Sequence, residues 1–160
     1  MDEVKEAAKS GNIDLLNKLM EKGSCDYNWA MIWAADGGHE KIIKLMLSEG
    51  ASDYNSAMAH ASQEGHMGVV EILLDNGAKD YNWAMSCAAF GGHLDIVQLM
   101  LNLGANTYSC AMYYAILAER LDVIQFLLQK RPIDDYAEIT TRNEDILALI
   151  KVWKEGKIKI

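Results

Sequence analysis

The chain has 160 residues, 51% of them hydrophobic and 24% charged, a balance that supports one continuous core and excludes a disordered chain. A net charge of -8 opposes phosphate backbones and anionic membranes at long range, so the expected partner is another protein, basic or mixed in charge, with no nucleic acid and no membrane. Three cysteines, Cys25, Cys87 and Cys110, form no Cys-x-x-Cys pair and suit a reducing compartment.

At the N-terminus, Met1 leads straight into Asp2-Glu3-Val4-Lys5-Glu6 without an apolar signal core. No apolar run of about eighteen residues follows. The expected location is therefore intracellular, in the cytoplasm. Residues 1–10 carry a mostly charged helix, EVKEAAKS, which reads as a solvated N-terminal cap.

From Gly11 onward one register dominates: GNIDLLNKLMEKG at 11–23, GHEKIIKLMLSEG at 38–50, GHMGVVEILLDNG at 65–77 and GHLDIVQLMLNLG at 92–104, each 27 residues after the last. A second block alternates with it, DYNWAMIWAA from 26, DYNSAMAHAS from 53, DYNWAMSCAA from 80 and TYSCAMYYAI from 107. The repeats span 11–37, 38–64, 65–91 and 92–118. A divergent fifth copy, ERLDVIQFLLQKR at 119–131, keeps the apolar columns but lacks both glycines, and opens the last repeat and C-terminal cap over 119–160.

Ile96, Val97, Leu99, Met100 and Leu101, with polar Asp95, Gln98 and Asn102 between them, follow helical spacing. The other block sets Ala84, Met85, Ala88 and Ala89 at helical spacing, with alanines small enough for helices to approach closely. Either Asp26, Asp53, Asp80 and Thr107, or Asn28, Asn55 and Asn82 two residues on, can cap that slimmer helix, because both sets offer a side-chain acceptor to its unpaired amides. Gly23, Gly50, Gly77 and Gly104 mark where the longer helix ends in a left-handed residue.

A unit this small buries its apolar face only by stacking on copies of itself, so the chain is expected to be an all-α solenoid of helix-turn-helix repeats. The ends fit such an array. Lys18 stands in the column of Leu45, Ile72, Leu99 and Phe126, and Lys151 in that of Met20, Leu47, Leu74, Leu101 and Leu128. Pro132 interrupts the register before a shortened copy, DDYAEITTRNEDILALIKVWKEG, and the array reads as complete. The basic run Lys151, Lys154, Lys157 and Lys159 favours a helix C-terminus and keeps the end solvated.

The Ala-Ala, Gly-His and Gly-Ala signposts of AAFGGHLDIVQLMLNLGA at 88–105 resemble the ankyrin repeat, and the resemblance runs over nearly the whole chain. Two features depart from it: ankyrin repeats run to about 33 residues and begin their first helix with Thr-Pro-Leu-His, whereas this period is shorter and no Thr-Pro occurs. The missing residues fall between Gly-Ala and the first helix, so the β-hairpin fingers of ankyrin proteins should be shortened or absent. In style the repeats resemble ankyrin proteins encoded in many copies by large DNA viruses of protists. The resemblance implies protein recognition, without intrinsic catalysis, through a concave groove; a viral origin would make the partner a host protein.

Other chemistries find little support. His39, His66 and His93 share one repeat column and so lie roughly 10 Å apart, too far to share a metal whose ligands sit at about 2 Å; the resemblance makes them turn residues. Cys87 and His60 share a column and form the nearest approach to a catalytic dyad, but no phosphate loop or third orienting group accompanies them, and a free cysteine packs as a small hydrophobe. No cofactor and no metal is expected. Tyr27, Tyr54, Tyr81 and Tyr108, alike in every repeat, are expected to pack between repeats, and Asn28, Asn55 and Asn82 to close loops.

Columns that vary between copies are free to recognise something. In the first helix these are Trp29, Ser56, Trp83 and Cys110; Trp33, His60, Cys87 and Tyr114; and Asp36, Gln63, Phe90 and Leu117, at i, i+4 and i+7 along one face. The candidate partner-binding residues are Trp29, Trp33, Asp36, Ser56, His60, Gln63, Trp83, Phe90, Tyr114 and Leu117. The rings either line an open groove or fill a core between tightly curved helices. Two other functions compete with partner recognition: a self-associating scaffold, with the chain a monomer or weakly associating, and a cysteine-dependent enzyme.

Overall fold

The computed structural model describes residues 2–130 and 143–155; Pro132, Lys157 and Lys159 lie outside them. Among the described residues every regular element is a helix: α1 (Asp2–Lys9), α2 (Ile13–Glu21), α3 (Tyr27–Asp36), α4 (Glu40–Ser48), α5 (Tyr54–Glu64), α6 (Met67–Asp75), α7 (Tyr81–Gly91), α8 (Leu94–Asn102), α9 (Tyr108–Leu117), α10 (Leu121–Lys130) and α11 (Glu144–Lys154). None is long and apolar enough to cross a membrane.

The odd-numbered helices up to α9 form one row and the even-numbered helices a second. Ala30, Ala34, Ala57, Ala61, Ala84, Ala88, Ala111 and Ala115 are fully buried between the helices of the first row. Their small side chains bring α1, α3, α5, α7 and α9 into contact along their lengths, whereas the second-row helices touch one another far less. Close spacing on one side and wide spacing on the other bends the array, so the first row lines its concave side. Between the rows, Leu16, Ile43, Val70, Val97 and Ile124, one residue per repeat, form a fully buried spine.

The expected turns hold, with the glycine one position beyond the helix cap. After α4, Gly50 has φ 95°; its N–H donates to Leu47 O at 3.1 Å, and the Ala51 N–H donates to Met46 O at 2.9 Å. This paired closure is a Schellman motif, and buried Ala51 supplies its apolar contact. The same pair of bonds recurs after α2, α6 and α8. Only a few residues then separate the motif from the next first-row helix, and no strand occurs among the described residues, so short loops replace hairpin fingers.

Both candidate cap sets are used, for different purposes. The aspartates cap their own helices: Asp26 Oδ1 accepts from the amides of Asn28 and Trp29, Asp53 Oδ1 from Ser56 and Asp80 Oδ1 from Trp83. The asparagines bridge repeats: Asn28 Oδ1 accepts from Ser52 and Asp53, Asn55 Oδ1 from Lys79 and Asp80, and Asn82 Oδ1 from Asn106 and Thr107. Thr107 occupies the cap position of α9 but makes no side-chain cap bond; its hydroxyl donates to Asn82 Oδ1 instead.

The histidine column also ties neighbours together. His39 Nε2 donates to Lys9 O at 2.8 Å, and His66 Nε2 to Asp36 O at 3.2 Å. In the divergent copy Arg120 takes this place, its Nε–H donating to Phe90 O at 2.9 Å. Tyr27, Tyr54, Tyr81 and Tyr108 are half-buried against the core, while Lys18 and Lys151 face solvent.

Candidate partner-binding face

Helices α3, α5 and α7 each begin with a capped turn that fixes the residue three positions after the cap. That residue is Trp29, Ser56 or Trp83, held by the bond from its own amide to Asp26, Asp53 or Asp80. The loop geometry therefore sets two indoles, two repeats apart, on the concave side. Trp29 is 49% exposed and Trp83 44%. Phe90, Tyr114 and Leu117 are exposed as well.

Two depressions share Trp83 as a wall. The first, of about 420 Å³, runs from Trp29 across Ser56 and His60 to Trp83, with Asp26 and Asp53 at its edge. The second, of about 250 Å³, lies among Trp83, Cys87, Phe90 and Tyr114, with Gln63 and Ser86 completing its lining. Phe90 and Tyr114 meet edge to face at 6.4 Å between ring centres, and Tyr113 meets Tyr114 at 5.4 Å.

Trp33 and Asp36 are engaged by the protein itself. Trp33 is half-buried, stacked on Trp29 at 6.1 Å, edge-on to His60 at 6.0 Å, and covered by the Lys5 ammonium 4.4 Å from its ring centre. The Asp36 side chain is only 8% exposed, with Lys9 Nζ 2.5 Å from Oδ2 and His60 Nδ1 3.2 Å from Oδ1. Burial alone would raise the Asp36 carboxyl; the Lys9 and His60 contacts outweigh it and hold the group below the usual carboxylate range. Asp36 thus anchors α1 to the first two repeats.

Cys87 and His60 do not form a dyad. His60 meets Asp36, while Cys87 opens onto the other depression. Burial, reinforced by Asp80, pushes the Cys87 thiol up to about 11, so it stays protonated near neutral pH and is a poor nucleophile. Among the described residues no group of three or more His, Cys, Asp or Glu side chains is arranged to hold a metal ion.

Sequence reasoning missed Tyr113, the most exposed of these rings at 61%. Its column reads Ile32, Ala59 and Ser86 in the earlier repeats, all buried. The jump in size at the last copy was the available signal. Lys5 and Lys9, which engage Trp33 and Asp36, were also missed, because α1 precedes the repeat register.

Compared with known families, residues 4–82 match a model of three consecutive ankyrin repeats and residues 80–111 a model of the single ankyrin repeat. No curated protein sequence matches the chain.

Proposed function

The chain belongs to the ankyrin-repeat family, whose members are generally protein-protein interaction modules, and we propose that it binds a partner protein through the concave face of its first-row helices. One observation carries the reading: Trp29, Trp83, Phe90 and Tyr114 stay exposed on one face although the core beneath them is closed by alanine and methionine. Exposed aromatic rings in a concave setting are what binding hot spots are made of. Ser56, His60, Gln63 and Leu117 complete the face, and Trp33 supports it from beneath.

Recognition rests on the helices, since short loops stand where hairpin fingers would supply contacts. From the resemblance of the sequence to repeats of viral ankyrin proteins, we further propose that the partner is a host protein. A Trp29→Ala, Trp83→Ala, Phe90→Ala variant tests the reading by affinity capture from cell lysate, beside the native chain. The expected result is loss of the captured proteins with the helical circular dichroism unchanged; equal capture by both would refute it. Self-association through the same face would appear as concentration-dependent sedimentation that the variant removes.

A further inference from the structure

The first-row helices and the loops before them, over 2–9, 24–37, 51–65, 78–92 and 105–118, carry eight carboxylates, Asp2, Glu3, Glu6, Asp26, Asp36, Asp53, Glu64 and Asp80, against three lysines, Lys5, Lys9 and Lys79, of which Lys5 lies on Trp33. Asp36 is matched internally by Lys9. Asp26 and Asp53 are not matched by any ion pair among the described residues: each uses Oδ1 for its helix cap, leaving Oδ2 for a donor from outside. These two carboxylates edge the depression whose end walls are the indoles of Trp29 and Trp83. Indole faces attract cations through their quadrupole, and the attraction grows when carboxylates lie close by.

The protein already places a cation on this aromatic row. Lys5 Nζ sits 4.4 Å above the ring of Trp33, and Trp33 stacks on Trp29. The row is thus occupied by a cation at its N-terminal end and open at Trp29 and Trp83. The neighbouring depression is different in character, walled by Phe90, Tyr114 and the protonated thiol of Cys87, and it suits an apolar side chain.

Building on the partner-binding reading above, we propose that the partner presents a basic segment, with an arginine or lysine side chain entering the Asp26–Asp53 slot between Trp29 and Trp83 and an apolar side chain entering the socket beyond Trp83. Trp83 divides the two and contacts both. Adjacent layers of helices are roughly 10 Å apart, a distance that about three residues of extended chain cover. One short linear segment therefore reaches both depressions.

The test is selection of random linear peptides displayed on phage against the native chain, followed by affinity measurement on the native chain, on Asp26→Asn, Asp53→Asn, and on Trp83→Ala. Asparagine caps a helix as well as aspartate, so the double variant loses charge without losing the turn, and unchanged urea midpoints verify the fold of both variants. The expected result is enrichment of peptides that pair a basic with a large apolar residue, binding about tenfold weaker to the double variant, weakening with added salt, and lost in Trp83→Ala. Peptides that need Trp83 but lack a basic residue, and that bind the double variant unchanged, would overturn the basic-segment assignment and leave the groove standing. Failure to select any peptide that needs Trp83, or self-association that Trp83→Ala removes, would overturn both.

Discussion

Asn28 Oδ1 lies 3.0 Å from the backbone nitrogen of Asp53, the residue that caps the first helix of the following repeat. The bond joins two levels of order: Asn28 fixes the loop that presents Asp53, and Asp53 fixes the first turn that presents Ser56. The same relay runs from Asn55 through Asp80 to Trp83. The placement of Ser56 and Trp83 in one repeat therefore depends on an amide side chain in the repeat before it.

Removing that acceptor should be costly in proportion to the bonds it receives. Asn82 accepts three, from the amides of Asn106 and Thr107 and from the Thr107 hydroxyl. Asn82→Ala is expected to destabilise the fold by about 1–2 kcal/mol, read from urea unfolding. Faster amide exchange should be concentrated at Asn106 and Thr107, and Asn82→Asp, which keeps the acceptor, should restore most of the loss.

Glu119 should be a site of easy stabilisation. It has φ 57°, the only positive φ outside glycine among the described residues, at the position held by Gly38, Gly65 and Gly92 in earlier repeats. A non-glycine residue there is strained by about 1 kcal/mol. Glu119→Gly is expected to raise stability by about that amount. The reverse change, Gly92→Ala, should lower it by more, since φ is 89° and an added Cβ would meet Arg120 Cδ at 2.9 Å.

The Asp36 cluster predicts a pH dependence. Lys9 and His60 hold the Asp36 carboxyl below its ordinary value despite burial, so the folded state binds that proton less readily than the unfolded state. The stabilisation is complete above the ordinary carboxylate range, near pH 4, and is lost as pH falls through the lower folded value. The native chain should therefore exceed Asp36→Asn in urea midpoint at pH 7, with the gap closing toward pH 3. A gap independent of pH would exclude the ion pair as its source.

Thiol reactivity should rank the cysteines by environment. Cys110 is exposed, while burial, with neighbouring carboxylates, raises the thiols of Cys25 and Cys87, the latter to about 11. At pH 8 only about one Cys87 in a thousand is then thiolate. Cys110 is expected to react first with a disulfide reagent and Cys87 last. Preferential labelling of Cys87 would revive the enzyme reading.

The solenoid was legible because its signposts repeat: a glycine, an alanine pair or an apolar column seen at 27-residue intervals constrains the fold more strongly than any single instance. The choice between Asp and Asn caps was not legible, since both side chains accept from amides, and the structure uses both. Asp36 reads in sequence as a variable groove position, but Lys9, from a helix outside the register, draws it into an ion pair. Whether Trp29 and Trp83 filled a core or faced solvent depended on how closely the first-row helices approach. Fully buried Ala30 and Ala84 beside them close that space and leave the indoles outside.

That placement is tested most directly by acrylamide quenching of tryptophan fluorescence in a Trp33→Phe, Trp153→Phe background, which leaves only Trp29 and Trp83 emitting. Strong quenching is expected in the free protein, with a constant at least about half that of a free indole, in line with rings nearly half exposed, and marked protection when a groove-binding peptide is added. Weak quenching in the free protein would mean that the two rings belong to the core, and would contradict the concave aromatic face on which the functional reading depends.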